Sequence, residues 1–146
     1  MDALRISTDK AELDLPLIHR FLSAEAYWCR GIPEETVARA IDRSLCFGGY
    51  AGSAGQVAFA RVVSDFATFG YLADVFVLPA FRGRGYGKRI VEAVLADPRL
   101  QGLRRFLLAT SDAHGLYAAH GFAAPARPET FMEISRPDLY RRAGAT

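Results

Sequence analysis

Residues 82 to 88 read Arg82, Gly83, Arg84, Gly85, Tyr86, Gly87 and Lys88, glycines interleaved with cations, and such a run can hold phosphate. Glycine leaves no side chain to obstruct a main-chain approach and permits the unusual backbone angles of an anion-binding concavity. Tyr117 carries a phenol whose ordinary pKa of about 10 keeps it a neutral proton donor near pH 7. Asp74 breaks an otherwise apolar run, Tyr71 to Val77, where an ionised group is costly unless it is paired or functional. It is the leading candidate for a base, with a structural pairing to Arg61 as the competing reading.

Two familiar phosphate loops fail on spacing. A GxGxxG fingerprint starting at Gly83 needs glycine where Lys88 stands, and a GxxxxGK[ST] loop ending at Gly87 and Lys88 needs Ser or Thr where Arg89 stands. The surrounding elements still favour an anion site. Leu72 to Leu78 reads as a largely buried strand, and Tyr86, Ile90, Val91, Val94 and Leu95 recur at helical spacing. The glycines therefore stand at a helix N-terminus, where unpaired N–H groups and the helix dipole favour negative charge. Arg82, Arg84, Lys88 and Arg89 add positive charge. An ordinary glycine-rich turn with a solvated basic face is the plainer alternative.

The other elements follow from pattern. Leu4 and Ile6 alternate as a first strand. Leu15, Ile18 and Leu22 mark a helix capped by Asp14 with Pro16 in its first turn, and Pro33, Glu34 and Glu35 open a second. Leu45 to Ala51 and Gln56 to Ser64 flank the turn at Gly52 to Gly55, and Asp65 to Ala67 leads into the central strand. Phe106 to Ala109 is strand-like. Ser111 or Asp112 can cap the helix that follows, and Gly121 can close it in the left-handed conformation. A final strand is expected at Thr130 to Ile134 and a terminal helical turn at Pro137 to Arg142. The order is β-α-α-β-β-β-α-β-α-β in one domain spanning 1–146.

Arg-x-x-Gly-x-Gly at Arg82 to Gly87 after a strand ending Val77-Leu78-Pro79, with Tyr-x-x-x-Gly-Phe at Tyr117 to Phe122, resembles the GNAT family of N-acetyltransferases. The resemblance implies an α/β (α+β) GNAT fold, a central mixed and mostly antiparallel sheet flanked by helices. It also implies that acetyl-CoA is bound as co-substrate, its pyrophosphate at Arg82, Gly83, Arg84, Gly85, Tyr86, Gly87 and Lys88. By the same comparison Val75, Phe76 and Val77 line the acetyl group, with a main-chain N–H near Phe76 or Val77 for the oxyanion. Thr110 and Asp112 stand where an asparagine contacting the pantetheine arm is often found, and His120 is expected near the coenzyme or solvent. Tyr117 matches the tyrosine that protonates the departing thiolate. Glu25, Tyr27, Trp28 and Arg30 fall in the segment that lines the acceptor pocket, and Glu25 is a second candidate base. Tyr27 and Trp28 could equally cover the end of the core, and Tyr117 could merely pack.

Composition agrees with an enzyme of this size. Hydrophobic residues make up 51% and aromatics 12%, too rich for disorder, and a formal charge of +2 gives no argument for a nucleic-acid partner. Cys29 and Cys46 form neither a metal pattern nor a disulfide framework, no metal site is expected, and Cys29 has nothing in the sequence to make it a nucleophile. With no signal-type or membrane-length apolar stretch, a cytoplasmic protein is expected. The implied function is acetyl transfer to a primary amine of a small molecule or peptide, by direct attack in a ternary complex and with no membrane partner. A non-catalytic acyl-CoA-binding or regulatory module, or a purely structural interaction domain, are the alternatives. A homodimer is compatible with the family resemblance.

Overall fold

A computed structural model describes residues 3–144 and builds the sheet from five strands. β1 (Leu4–Ser7), β2 (Leu45–Ala51), β3 (Gln56–Ser64) and β4 (Phe69–Val77) pair antiparallel in sequence order, and β5 (Arg105–Leu108) joins β4 in parallel. The helices are α1 (Leu15–Ala24), α2 (Glu34–Asp42), α3 (Tyr86–Ala96), α4 (His114–Ala118) and α5 (Leu139–Gly144). Local chemistry sets several boundaries. Asp14 Oδ1 accepts from Leu17 N at 3.1 Å to start α1. Asp65 Oδ1 accepts from the main-chain N–H groups of Ala67, Thr68 and Phe69, which holds Phe66 at φ 61° and turns β3 into β4.

Each face of the sheet has its own core. α1 and α2 cover one face through Ile18, Phe21, Leu22 and Val37 against Cys46, Phe59 and Phe76, with the Phe21 and Phe76 rings stacked at 4.1 Å. α3 covers the other through Tyr86, Ile90, Val91 and Val94, the apolar stripe read from its spacing. Each such fully buried side chain stabilises the fold by about 1.5–3 kcal/mol.

The strand expected at Thr130 to Ile134 does not form. Pro128–Thr130 is a 3-10 turn in which the N–H groups of Thr130 and Phe131 bond the carbonyls of Arg127 and Pro128, and the residues that follow join no ladder among the described residues. The turn spends the N–H groups of Thr130 and Phe131 on carbonyls within the segment, so neither donor is left for a ladder.

Candidate active site between two splayed strands

β4 and β5 part company halfway along. Their register runs from Phe69 opposite Arg105 to Leu72 opposite Leu108, after which β4 continues to Val77 while β5 ends. On the other side of β4 the register with β3 skips between Phe59 and Arg61, and Asp74 sits opposite the skip at φ 54°. Such a bulge twists a strand and re-aims its side chains. Two cavities open from this split, one of about 500 Å³ toward α3 and one of about 520 Å³ along β4 and the β5–α4 loop. Tyr27, Trp28, Val75, Asp112, Ala113 and Tyr117 line both.

The first cavity ends at main chain. Gly83 and Gly85 hold φ 81° and 80°, and Gly85 is the left-handed N-cap of α3 with no side-chain capping bond. The first bond within the helix runs from Arg89 N to Gly85 O, so the N–H groups of Gly87 and Lys88 have no acceptor inside the helix. A Cβ added at Gly83 or Gly85 would meet nothing within 4 Å, so the positive backbone angle is what selects glycine there. Arg82 Nε donates to Val77 O at 3.0 Å, pinning the loop to the strand end, and the Arg84 guanidinium stacks over Phe81 at 5.0 Å. Arg82, Gly83, Gly85, Tyr86 and Gly87 line the cavity together with Val75, Phe76 and Val77.

The second cavity is walled by side chains that hold one another. Trp28 Nε1 donates to Asp74 Oδ1 at 3.0 Å, Arg61 Nε donates to Asp74 Oδ2 at 2.8 Å, and Arg61 Nη1 donates to Ser44 Oγ at 3.0 Å. The ion pair is largely sheltered, with side-chain exposures of 19% and 13%. Tyr27 packs edge-on to Trp28 at 5.0 Å, and its hydroxyl accepts from Ser111 N and Ser111 Oγ at 3.3 and 2.6 Å. The α1–α2 connection is thereby tied to the β5–α4 loop across the mouth of the split.

Tyr117 stands where the cavities meet. Burial, with smaller contributions from Asp112 and Tyr27, pushes its pKa above the ordinary phenol value, so it remains a proton donor at neutral pH. Its ring packs edge-on to Phe122 at 5.9 Å, and the turn closing α4 is fixed by Phe122 N donating to Tyr117 O with Gly121 at φ 96°. Ala113 N donates to Thr110 Oγ1, so α4 begins at His114, later than Ser111 or Asp112 would have started it. Cys29 is no nucleophile here: burial, reinforced by Asp74, pushes its thiol up to about 12.

Some residues expected in the site stand outside its cavities. His120 Nδ1 donates to Leu116 O at 3.0 Å, and its Nε2 lies 3.9 Å from Glu92, facing α3. Lys88, Arg84 and Arg30 line neither cavity, and Arg89 reaches back to Leu4 O in β1. Glu25 lines the first cavity with Tyr27 and Trp28, and Thr110 lines the second. Sequence reasoning missed Ser111 as the partner of Tyr27 and Tyr71 as a wall of the second cavity. Tyr27 and Ser111 are 84 residues apart, and no local pattern marks them as partners. Among the described residues no group of three or more metal-ligating side chains occurs, and no helix is long and apolar enough to cross a membrane.

Comparison with known proteins bears on this geometry. The model of the GNAT acetyltransferase domain matches residues 42–124, more than half of the chain. A Gibberella zeae protein provisionally named an acetyltransferase is 32% identical, the match covering 77% of this chain and 74% of that protein. A Xanthomonas campestris pv. campestris crystal structure, assigned to the GNAT acetyltransferases, is 59% identical with a TM-score of 0.92, covering 96% of this chain and 98% of the other. A Clostridium acetobutylicum structure of a predicted acetyltransferase with acetyl-CoA shares the fold at 17% identity and a TM-score of 0.64, over 92% of this chain and 96% of that one.

Proposed function

The chain belongs to the GNAT family of acetyltransferases, and from that premise we propose that it moves an acetyl group from acetyl-CoA directly to a primary amine while both are bound. The observation that carries this reading is the pair of cavities meeting at Tyr117 in the β4–β5 split. The α3 cavity suits the coenzyme, whose pyrophosphate would lie at the N–H groups of Gly87 and Lys88 and on the Arg82 loop. Its thioester would then lie beside Val75, Phe76 and Val77. The other cavity suits the acceptor.

In this scheme the neutral amine attacks the thioester carbonyl, forming a C–N bond. A main-chain N–H of the bulged strand near Phe76 or Val77 stabilises the oxyanion, an interaction worth several kcal/mol in a dry cleft. The C–S bond then breaks, the thiolate takes the Tyr117 proton, the nitrogen gives up its extra proton to solvent through the open acceptor cavity, and the Tyr117 phenolate regains a proton from solvent. Asp74 acts by position. Both of its oxygens already accept bonds, from Trp28 and from Arg61, so it holds the aromatic acceptor wall and leaves proton removal to the medium or to Glu25. We take residues 1–146 as one such domain and place the reaction in the cytoplasm, where Cys29 and Cys46 stay free thiols.

The test is release of coenzyme A thiol from acetyl-CoA across a panel of small and peptidyl amines, with Tyr117→Phe beside the parent. Turnover with at least one amine, lost in the variant while acetyl-CoA still binds, is the expected result. Tight acetyl-CoA binding without turnover on any amine would instead identify a coenzyme-binding module.

A further inference from the structure

Behind the second cavity lies a third. It measures about 270 Å³ and is enclosed between α1, α2 and the sheet, within the core built from Leu22, Val37 and Phe59. Folded interiors hold few voids larger than a water molecule, and a void of this size weakens the core around it unless something occupies it. An apolar cavity of about 150 Å³ is already large enough to take benzene. Here Leu22, Ile32, Val37, Ile41 and Phe59 supply the apolar lining.

Its polar side is shared. Trp28, Arg61 and Asp74 line both this cavity and the second one, so their hydrogen-bonded row is the boundary between the two. Charge is cancelled along that boundary. Arg61 and Asp74 pair at 2.8 Å, and among the described residues no other charged side chain lines the third cavity. An ammonium or carboxylate pushed beyond the row would lose its water and find no free partner. Trp28 is 43% exposed and held by one hydrogen bond and an edge contact with Tyr27, so the boundary gives way at its indole rather than at the sheltered ion pair.

We propose that the acceptor is a primary amine with an uncharged hydrocarbon arm, which passes Trp28 and lies in the third cavity while the amino group lies beside Tyr117. This rests on the transfer reading above and narrows its substrate class. Short amines are disfavoured because they bury too little, and diamines because the far ammonium would be stranded among Leu22, Val37 and Phe59. α2 limits the length of the arm. Ala40, one turn from Val37 on the same wall, leaves room that a larger side chain would take.

The test follows thiol release and, separately, calorimetric binding without acetyl-CoA, for straight-chain amines from propyl to octyl and for the diamine of octyl length. In the parent, kcat/KM and affinity should both rise about threefold for each methylene that enters the cavity. The diamine should fall about tenfold or more below octylamine. Ala40→Leu should flatten the series, with circular dichroism to show that the variant folds; if it does not, the parent's series and the diamine comparison still decide. Length-dependent affinity with no thiol release would keep the arm site and reject the transfer reading. Thiol release indifferent to arm length, a series equally steep in Ala40→Leu, or a diamine preferred to octylamine would overturn the proposal and leave the transfer reading standing.

Discussion

On the α3 side of the split the binding surface is main chain: two left-handed glycines, a helix N-terminus and an arginine tied back to the strand end. On the α1 side it is side chain against side chain, with Trp28, Asp74, Arg61 and Ser44 in one hydrogen-bonded row and Tyr27 bridged to Ser111. The first kind of surface is set by a few consecutive residues and suits a ligand part that never varies. The second is assembled from five separate segments and can change one residue at a time, which would suit the proposed amine acceptor. Coenzyme affinity and acceptor selectivity should therefore be separable by mutation.

The largest expected effect lies at the seam. Tyr117→Phe should lower kcat about 100-fold or more while leaving acetyl-CoA affinity within a few-fold, measured by thiol release and by calorimetry. Because burial raises the Tyr117 pKa, its proton is fully present below the ordinary phenol range and is lost as pH rises through the raised value. This group should thus add no fall in kcat below about pH 10, and any decline above it should be missing in the variant. A kcat limb near neutral pH that vanished in Tyr117→Phe would contradict the assignment.

On the coenzyme side, Gly85→Val forces a β-branched residue to φ 80°, costing about 1–2 kcal/mol and placing a side chain where the anion would lie. Acetyl-CoA affinity should fall about 10- to 100-fold, the strain and the lost approach acting together, with acceptor KM unchanged. On the acceptor side, Asp74→Ala leaves Arg61 sheltered without its anion and should lower stability by about 3 kcal/mol in urea unfolding. Trp28→Ala should be milder for the fold and raise acceptor KM about tenfold at unchanged acetyl-CoA affinity. The smallest effect is expected from Ser111→Ala, which removes one hydroxyl bond to Tyr27 and should change acceptor KM only about threefold. If the acceptor-side variants weakened acetyl-CoA as much as Gly85→Val does, the division would fail.

The same contrast explains what the chain revealed before folding. The glycine loop, the α3 stripe and the Tyr117 to Phe122 turn were legible because each rests on interactions within a few residues. So were β1 to β5, by alternation and turn chemistry. The pairing of Asp74 with Arg61 was one of two readings open from sequence, whereas its bond to Trp28 spans 46 residues and left no local mark. His120 was read near the coenzyme because it sits within the Tyr117 to Phe122 motif, and its ring bonds Leu116 O and lies 3.9 Å from Glu92 on α3. The missing last strand shows the converse limit. A strand was expected at Thr130 to Ile134, but the Pro128–Thr130 turn takes the N–H groups of Thr130 and Phe131 into its own bonds.

The most direct measurement is a calorimetric comparison of coenzyme A with pantetheine, which lacks the diphosphate, on the parent protein and on Gly85→Val. The parent should bind coenzyme A about 100-fold or more tightly than pantetheine, and the variant should lose most of that margin. Equal affinity of the parent for the two, or a margin untouched by the substitution, would contradict the claim that the front of α3 holds the diphosphate.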